Sequence, residues 1–171
     1  FIIGTFSPSL GATGGFCTSD LPDLDLIRYA CRPYIFTASP APSIIASTRK
    51  ALSILRGRPE LRTRLWENAH RLYDGLRELG YTVGPQPSPV VAALLQSREQ
   101  ALIFWKGLMQ RGIYVNLMLP PATPNGVSLV RCSVSTAHTP SQIDAILNAF
   151  AELRDTAGVA GRPGEAVASS R

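Results

Sequence analysis

The sequence predicts an α/β fold in two parts: the closing portion of a larger strand-and-helix unit, then a small α+β module. Three observations carry this. The chain opens on Phe1-Ile2-Ile3-Gly4, a strand already under way, which runs into a glycine-rich loop. Leu61, Leu65, Ala69, Leu72, Leu76 and Leu79 then recur at a helical rhythm of about 3.6 residues. Beyond a proline-rich linker, Gly84 to Pro89, strand patterns alternate with two helices that begin on capping signals.

Each element follows in order. Phe1 to Phe6 is a short strand, Ser7 to Gly15 is a loop in which Gly11, Gly14 and Gly15 permit tight bends, and Phe16-Cys17-Thr18 is a strand ending at Asp20. A helix starts near Pro22 with Leu24, Ile27 and Tyr29 to Ala30 as apolar positions. Tyr34-Ile35-Phe36-Thr37 is extended and is closed by the turn Ser39-Pro40-Ala41-Pro42. A helix over 43–56 breaks at Gly57, and the next restarts at Pro59, a favourable first helical position, and stops at Gly80.

After the linker, Val90 to Leu95 is a buried-type strand. Ser97 with Gln100 caps a helix through Trp105 and Met109 that ends at Gly112. Tyr114 to Leu117 and Ser128 to Val134 are strands. Thr139-Pro140-Ser141-Gln142 is a second capping box, opening a helix with Ile143, Ile146, Leu147, Phe150 and Leu153 on one face. The expected organisation is therefore a large-unit fragment over 1–84, a small module over 85–156 and a disordered tail over 157–171.

Composition narrows the function classes. A hydrophobic fraction of 45% and a charged fraction of 17% suit a globular domain. No apolar run approaches the roughly 18–20 residues of a membrane span, and no signal peptide is visible, so a cytoplasmic location is expected. The first residue is Phe1, which suggests that chain upstream is missing. Cys17, Cys31 and Cys132 form no C-x-x-C pair and only His70 and His138 accompany them, so reduced thiols are expected rather than zinc or disulfides.

The net charge of +5 allows an anionic partner. Nucleic acid is not expected, because Glu60, Glu67, Asp74 and Glu78 interleave with the basic stretch Arg49, Lys50, Arg56, Arg58, Arg62, Arg64, Arg71 and Arg77 in the spacing of a solvated helix face. His70 reads as surface, and His138, just before a capping threonine, as a structural hydrogen-bonding residue.

The segment Gly4-Thr5-Phe6-Ser7-Pro8-Ser9-Leu10-Gly11-Ala12-Thr13-Gly14-Gly15 resembles the cofactor motif G-T-F-S-K-S-L-G-x-x-G-G of the α-oxoamine synthases. These enzymes use pyridoxal phosphate to join an amino acid to an acyl-CoA with loss of carbon dioxide. The stretches Arg32 to Pro40, Tyr114 to Leu117, Pro120 to Pro124 and Leu129 to Ser135 are similar to the serine palmitoyltransferase branch, and Ala137-His138-Thr139 to the wider family. The resemblance runs from Phe1 to about Phe150. It implies the C-terminal part of a fold-type I pyridoxal-phosphate-dependent transferase, a fragment of the large domain plus the small C-terminal domain.

The resemblance also implies roles. Thr5 and Ser7 would lie beside the cofactor, their hydroxyls donating to it. Thr37, and Ala38 through its backbone, would reach the phosphate of a neighbouring subunit. Arg131 would hold the substrate carboxylate through a planar, two-pronged guanidinium. Substrates would be an amino acid, serine above all, and a long-chain acyl-CoA, giving a 3-ketosphinganine-type product of sphingolipid synthesis.

Two positions depart from the pattern. Pro8 stands where the family's lysine forms the Schiff base, and a proline has no amine for an imine or for proton transfer. The only lysines are Lys50 and Lys106, both on predicted helices. Leu119 precedes Pro120 where an arginine is expected in some bacterial members. The chain by itself is therefore expected to be inactive. A lysine-less subunit supporting a lysine-bearing partner, in place of a homodimer, and a degenerate remnant are the alternatives.

Overall fold

A computed structural model describes residues 1–123 and 126–156. The chain forms two compact units, Phe1–Pro59 and Glu60–Arg171. The expected tail over 157–171 lies outside the described residues, as does Pro124 of the Pro120 to Pro124 stretch.

In the first unit, β1 (Ile2–Thr5) pairs antiparallel with β2 (Gly15–Thr18), with Ile2 opposite Thr18 and Thr5 opposite Gly15. The segment between them is not wholly the open loop expected from its small residues. Ser7–Leu10 forms a single helical turn, α1, with Pro8 in its first turn and Gly11 closing it at φ 61°. Proline suits that position because the first N–H groups of a helix have no internal partner.

α2 (Leu24–Ala30) follows, and Cys31 N–H closes it on the Ile27 carbonyl at 2.9 Å. Arg32–Ile35 is a second short helix, α3, where the sequence pointed to an extended piece. The β-prone Tyr34, Ile35 and Phe36 are overruled by Pro33 in the first turn, and Phe36 N–H bonds the Arg32 carbonyl at 3.1 Å. α4 (Pro42–Gly57) starts from an extended Ala41 with proline at its head.

This unit has almost no core of its own. Among its described residues only Ala12 and Thr48 are buried, while Ile3 and Phe36 are 80% and 84% exposed.

The second unit is built from α5 (Glu60–Glu78), β3 (Val90–Leu95), α6 (Arg98–Gln110), β4 (Asn116–Met118), β5 (Ser128–Ser133) and α7 (Pro140–Glu152). The three strands form an antiparallel sheet in the order β3-β5-β4. Its core joins Leu72 and Leu76 of α5, Phe104 and Leu108 of α6, Val130 of β5, and Ile143 and Phe150 of α7, all fully buried. Tyr81, Phe104 and Phe150 meet edge-on or tilted with ring centroids 5.1–6.0 Å apart, and the Tyr81 hydroxyl donates to the Phe150 carbonyl at 2.7 Å.

Three local details depart from expectation. The compact units divide between Pro59 and Glu60, not at Gly84 to Pro89, because the apolar stripe of α5 belongs to the second unit's core. The first capping signal is half realised: Ser97 accepts from Gln100 N–H at 3.2 Å, but the Gln100 side-chain oxygen is buried without a partner. At α7 the box is complete, with Thr139 N–H donating to Gln142 Oε1 at 2.9 Å. Finally, β4 begins at Asn116 instead of Tyr114, because the Val115 carbonyl is taken by the Trp105 indole N–H at 3.0 Å.

Among the described residues no helix is long and apolar enough to cross a membrane.

Candidate functional site

The glycine-rich ribbon is a closely fitted backbone cradle. Phe6 N–H bonds the Gly14 carbonyl at 3.0 Å, and the Thr5 hydroxyl donates to the same oxygen at 3.2 Å. Ser7 N–H in turn donates to Thr5 Oγ1 at 3.3 Å. A side chain at Gly15 would place its Cβ 2.5 Å from the Gly4 carbonyl oxygen, so only glycine lets the two strands close there. The Phe6 and Phe16 rings stack across the ribbon with centroids 5.8 Å apart. Thr5 is therefore spent on holding the ribbon, whereas the Ser7 side chain has no hydrogen-bond partner among the described residues.

Beside this ribbon is an open cleft of about 700 Å³, lined by Thr13, Gly14 and Gly15, by Arg28 and Tyr34, and by Thr37 to Pro40. The structure thus brings Thr37 and Ala38 to the loop that Thr5 anchors. The Thr37 hydroxyl donates to the Pro33 carbonyl, which ties the residue to the end of α3. Ala38 N–H has no acceptor among the described residues and remains available to a ligand oxygen. Arg28 adds a positive charge, paired at 3.4 Å with the exposed Asp25. An anion with several acceptor oxygens suits such a wall.

Sequence reasoning did not single out Arg28 or Tyr34 as lining residues. Tyr34 stands inside the family-like stretch Arg32 to Pro40, but nothing local to Arg28 marks it.

Pro8 sits in α1, within the cofactor-type motif. Lys50 lies on α4 and Lys106 on α6. The Ala38 N–H in the cleft suits a phosphate oxygen, and the Ser7 hydroxyl on the ribbon suits an acceptor oxygen of pyridoxal phosphate, but position 8 offers no amine for its aldehyde. The residues do not fit covalent anchoring of that cofactor. Among the described residues no His, Cys, Asp and Glu cluster could hold a metal ion.

Arg131 lies in the second unit, exposed on β5, between Ala92 of β3 and Asn116 of β4 in the strand register. Its side chain has no hydrogen bond or ion pair among the described residues. Behind it, on the other sheet face, burial pushes the Cys132 thiol up to about 12, so that thiol is an inert core group.

The turn after β5 is pinned from α5. Asn68 donates from Nδ2 to the Ser135 and His138 carbonyls at 3.0 Å each, and Ser135 N–H donates to His138 Nδ1 at 2.9 Å. His138 therefore has a structural role: it closes the turn that leads into α7.

Comparison with known proteins places this arrangement in a family. The aminotransferase class I and II model matches residues 1–150. A serine palmitoyltransferase of Caulobacter vibrioides is 55% identical over 159 residues, covering 93% of this chain and 39% of the relative. That of Sphingomonas paucimobilis is 44% identical over 163 residues, covering 94% and 39%. In structure, a lysine-to-alanine variant of the Sphingomonas paucimobilis enzyme, bound to a PLP–myriocin aldimine, superposes with a TM-score of 0.87 over 92% of this chain and 40% of that one. Sphingomonas wittichii serine palmitoyltransferase does so at 0.86 with 41% identity, over the same shares. The chain spans about two fifths of the length of these relatives. It belongs to the class I and II aminotransferase family, with a fold-type I fragment homologous to the serine palmitoyltransferases of the α-oxoamine synthase group.

Proposed function

We propose that this chain is the cofactor-phosphate and substrate-carboxylate part of a pyridoxal-phosphate-dependent acyl-CoA:amino-acid acyltransferase of serine palmitoyltransferase type, and that it cannot form the Schiff base itself. The observation that carries the reading is the ribbon, in which every motif position except the lysine is kept and Pro8 takes its place. Bound pyridoxal phosphate would supply an electron sink for the amino-acid α-carbon. This chain's own groups would hold: Ser7 beside the cofactor at its own ribbon, the Ala38 N–H at the phosphate of a neighbouring subunit's cofactor, and Arg131 at the carboxylate of serine. The long-chain acyl-CoA would come to the same centre in the parent enzyme.

Pro8 also favours a second reading, a non-catalytic subunit that lends Thr37 and Ala38 to the site of a lysine-bearing partner.

The experiment is chemical trapping. The chain and its Pro8→Lys variant are incubated with pyridoxal phosphate, reduced with borohydride and mapped by peptide mass. The expected result is no adduct in the ribbon peptide of the parent chain, and preferential labelling of the new lysine in the variant, suppressed by inorganic phosphate. Labelling of that lysine no faster than of Lys50 and Lys106 would remove the phosphate-site reading. Size-exclusion chromatography with the Caulobacter vibrioides relative tests the partner reading: co-migration supports it, and separate elution excludes it.

A further inference from the structure

The second unit's sheet has one closed face and one open face. Burial alternates along β3 and β5, with Val91, Ala93, Val130 and Cys132 turned into the core and Ala92, Leu94, Leu129 and Arg131 turned away. On β4, Asn116 stands directly opposite Arg131, and Met118 opposite Leu129. Residues opposite each other in an antiparallel pair share a face, with Cβ atoms about 4.5–5.5 Å apart. The open face is therefore apolar apart from a few polar side chains, and the carboxamide of Asn116 and the guanidinium of Arg131 stand side by side on it. Neither side chain has a hydrogen bond or ion pair among the described residues.

Two adjacent donor-bearing groups with no protein partner, side by side on one sheet face, can both donate to a single acceptor from outside. A carboxylate has about four lone-pair sites, and a guanidinium fork uses two of them. We infer that Asn116 is a further substrate-binding residue: its Nδ2 donates to the carboxylate that Arg131 holds, so that two neighbouring strands grip one acid group. This rests on the reading of Arg131 proposed above. The neutral amide also leaves Arg131 free, since a carboxylate at 116 would pair with it and close the site.

The test is side-chain NMR on the 15N-labelled 171-residue chain, titrated with L-serine and, as the control lacking a carboxylate, L-serinamide. The Arg131 Nε–H and Asn116 Nδ2 signals are expected to shift along one saturation curve with serine and to stay still with serinamide. Asn116→Ala should weaken serine binding roughly ten- to hundredfold, the value of one hydrogen bond to a charged group. Asn116→Asp should abolish it, with the β4 and β5 backbone amides unmoved in both variants. A serine-dependent shift at Arg131 alone, with Asn116→Ala binding as tightly as the parent, overturns the role of Asn116 and leaves that of Arg131 standing. No shift at either residue overturns both.

Discussion

Asn68 is the most informative single position for the architecture that carries Arg131. It is 5% exposed on α5, and its Nδ2 spans the Ser135 and His138 carbonyls at 3.0 Å each, fastening the turn between β5 and α7. Asn68→Ala removes two donors. At about 1 kcal/mol per neutral hydrogen bond, and with both acceptors in a turn that water can partly reach, the loss is about 2 kcal/mol. For a unit of this size that corresponds to a drop of roughly 8–16 °C in Tm.

Asn68→Asp is nearly the same shape but aims a carboxylate at two carbonyl oxygens, which raises the loss to about 3–4 kcal/mol near neutral pH. Those acceptors favour the protonated form, so the introduced carboxyl has a folded pKa above its unfolded value of about 3.9. The deficit is then smallest below that unfolded value and grows as pH rises through the folded one. Urea denaturation across pH, with hydrogen exchange of α7 as the local readout, measures both. An alanine variant within about 0.5 kcal/mol of the parent, or an aspartate variant matching alanine at every pH, would refute the assignment of Asn68 as the fastening residue.

Two further outcomes follow from the same unit. Burial raises the Cys132 thiol from an ordinary value near 9 to about 12, and it also raises the Tyr81 hydroxyl, against a weaker opposing effect of Arg154. The unfolded chain therefore loses these protons first, and stability should fall as pH rises from about 9, by at most about 1.4 kcal/mol per pH unit per group. Cys132→Ala should flatten that slope without removing the share due to Tyr81, as chemical denaturation across the alkaline range would record. Gly75→Ala would set a methyl 2.5 Å from Leu147 Cδ1, at the contact between α5 and α7. The overpacking of about 1–3 kcal/mol should exceed the helix-propensity gain of up to about 1 kcal/mol, giving a net loss in a thermal melt.

The sequence by itself determined the features written in local pattern. The stripe Leu61 to Leu79 marked α5, and the apolar run Val90 to Leu95 matched β3 residue for residue, because long periodic segments leave little choice of state. Thr139 and Gln142 announced the start of α7 through a reciprocal box that needs no distant partner. The ribbon was legible as a motif, and the replacement of its lysine by Pro8 was visible from the one position alone.

Tertiary structure decided the rest. Ser7–Leu10 and Arg32–Ile35 are single turns, too short for periodicity to separate helix from strand or loop, so a proline in the first turn and the surrounding backbone bonds settled them. The division at Pro59 depends on which partners cover α5, which its own pattern cannot state. The pairing of Asn116 with Arg131 depends on register between strands separated by a long connection, where a shift of one residue would turn every side chain to the opposite face. Local chemistry names the residue types; only the packed sheet brings those two side by side.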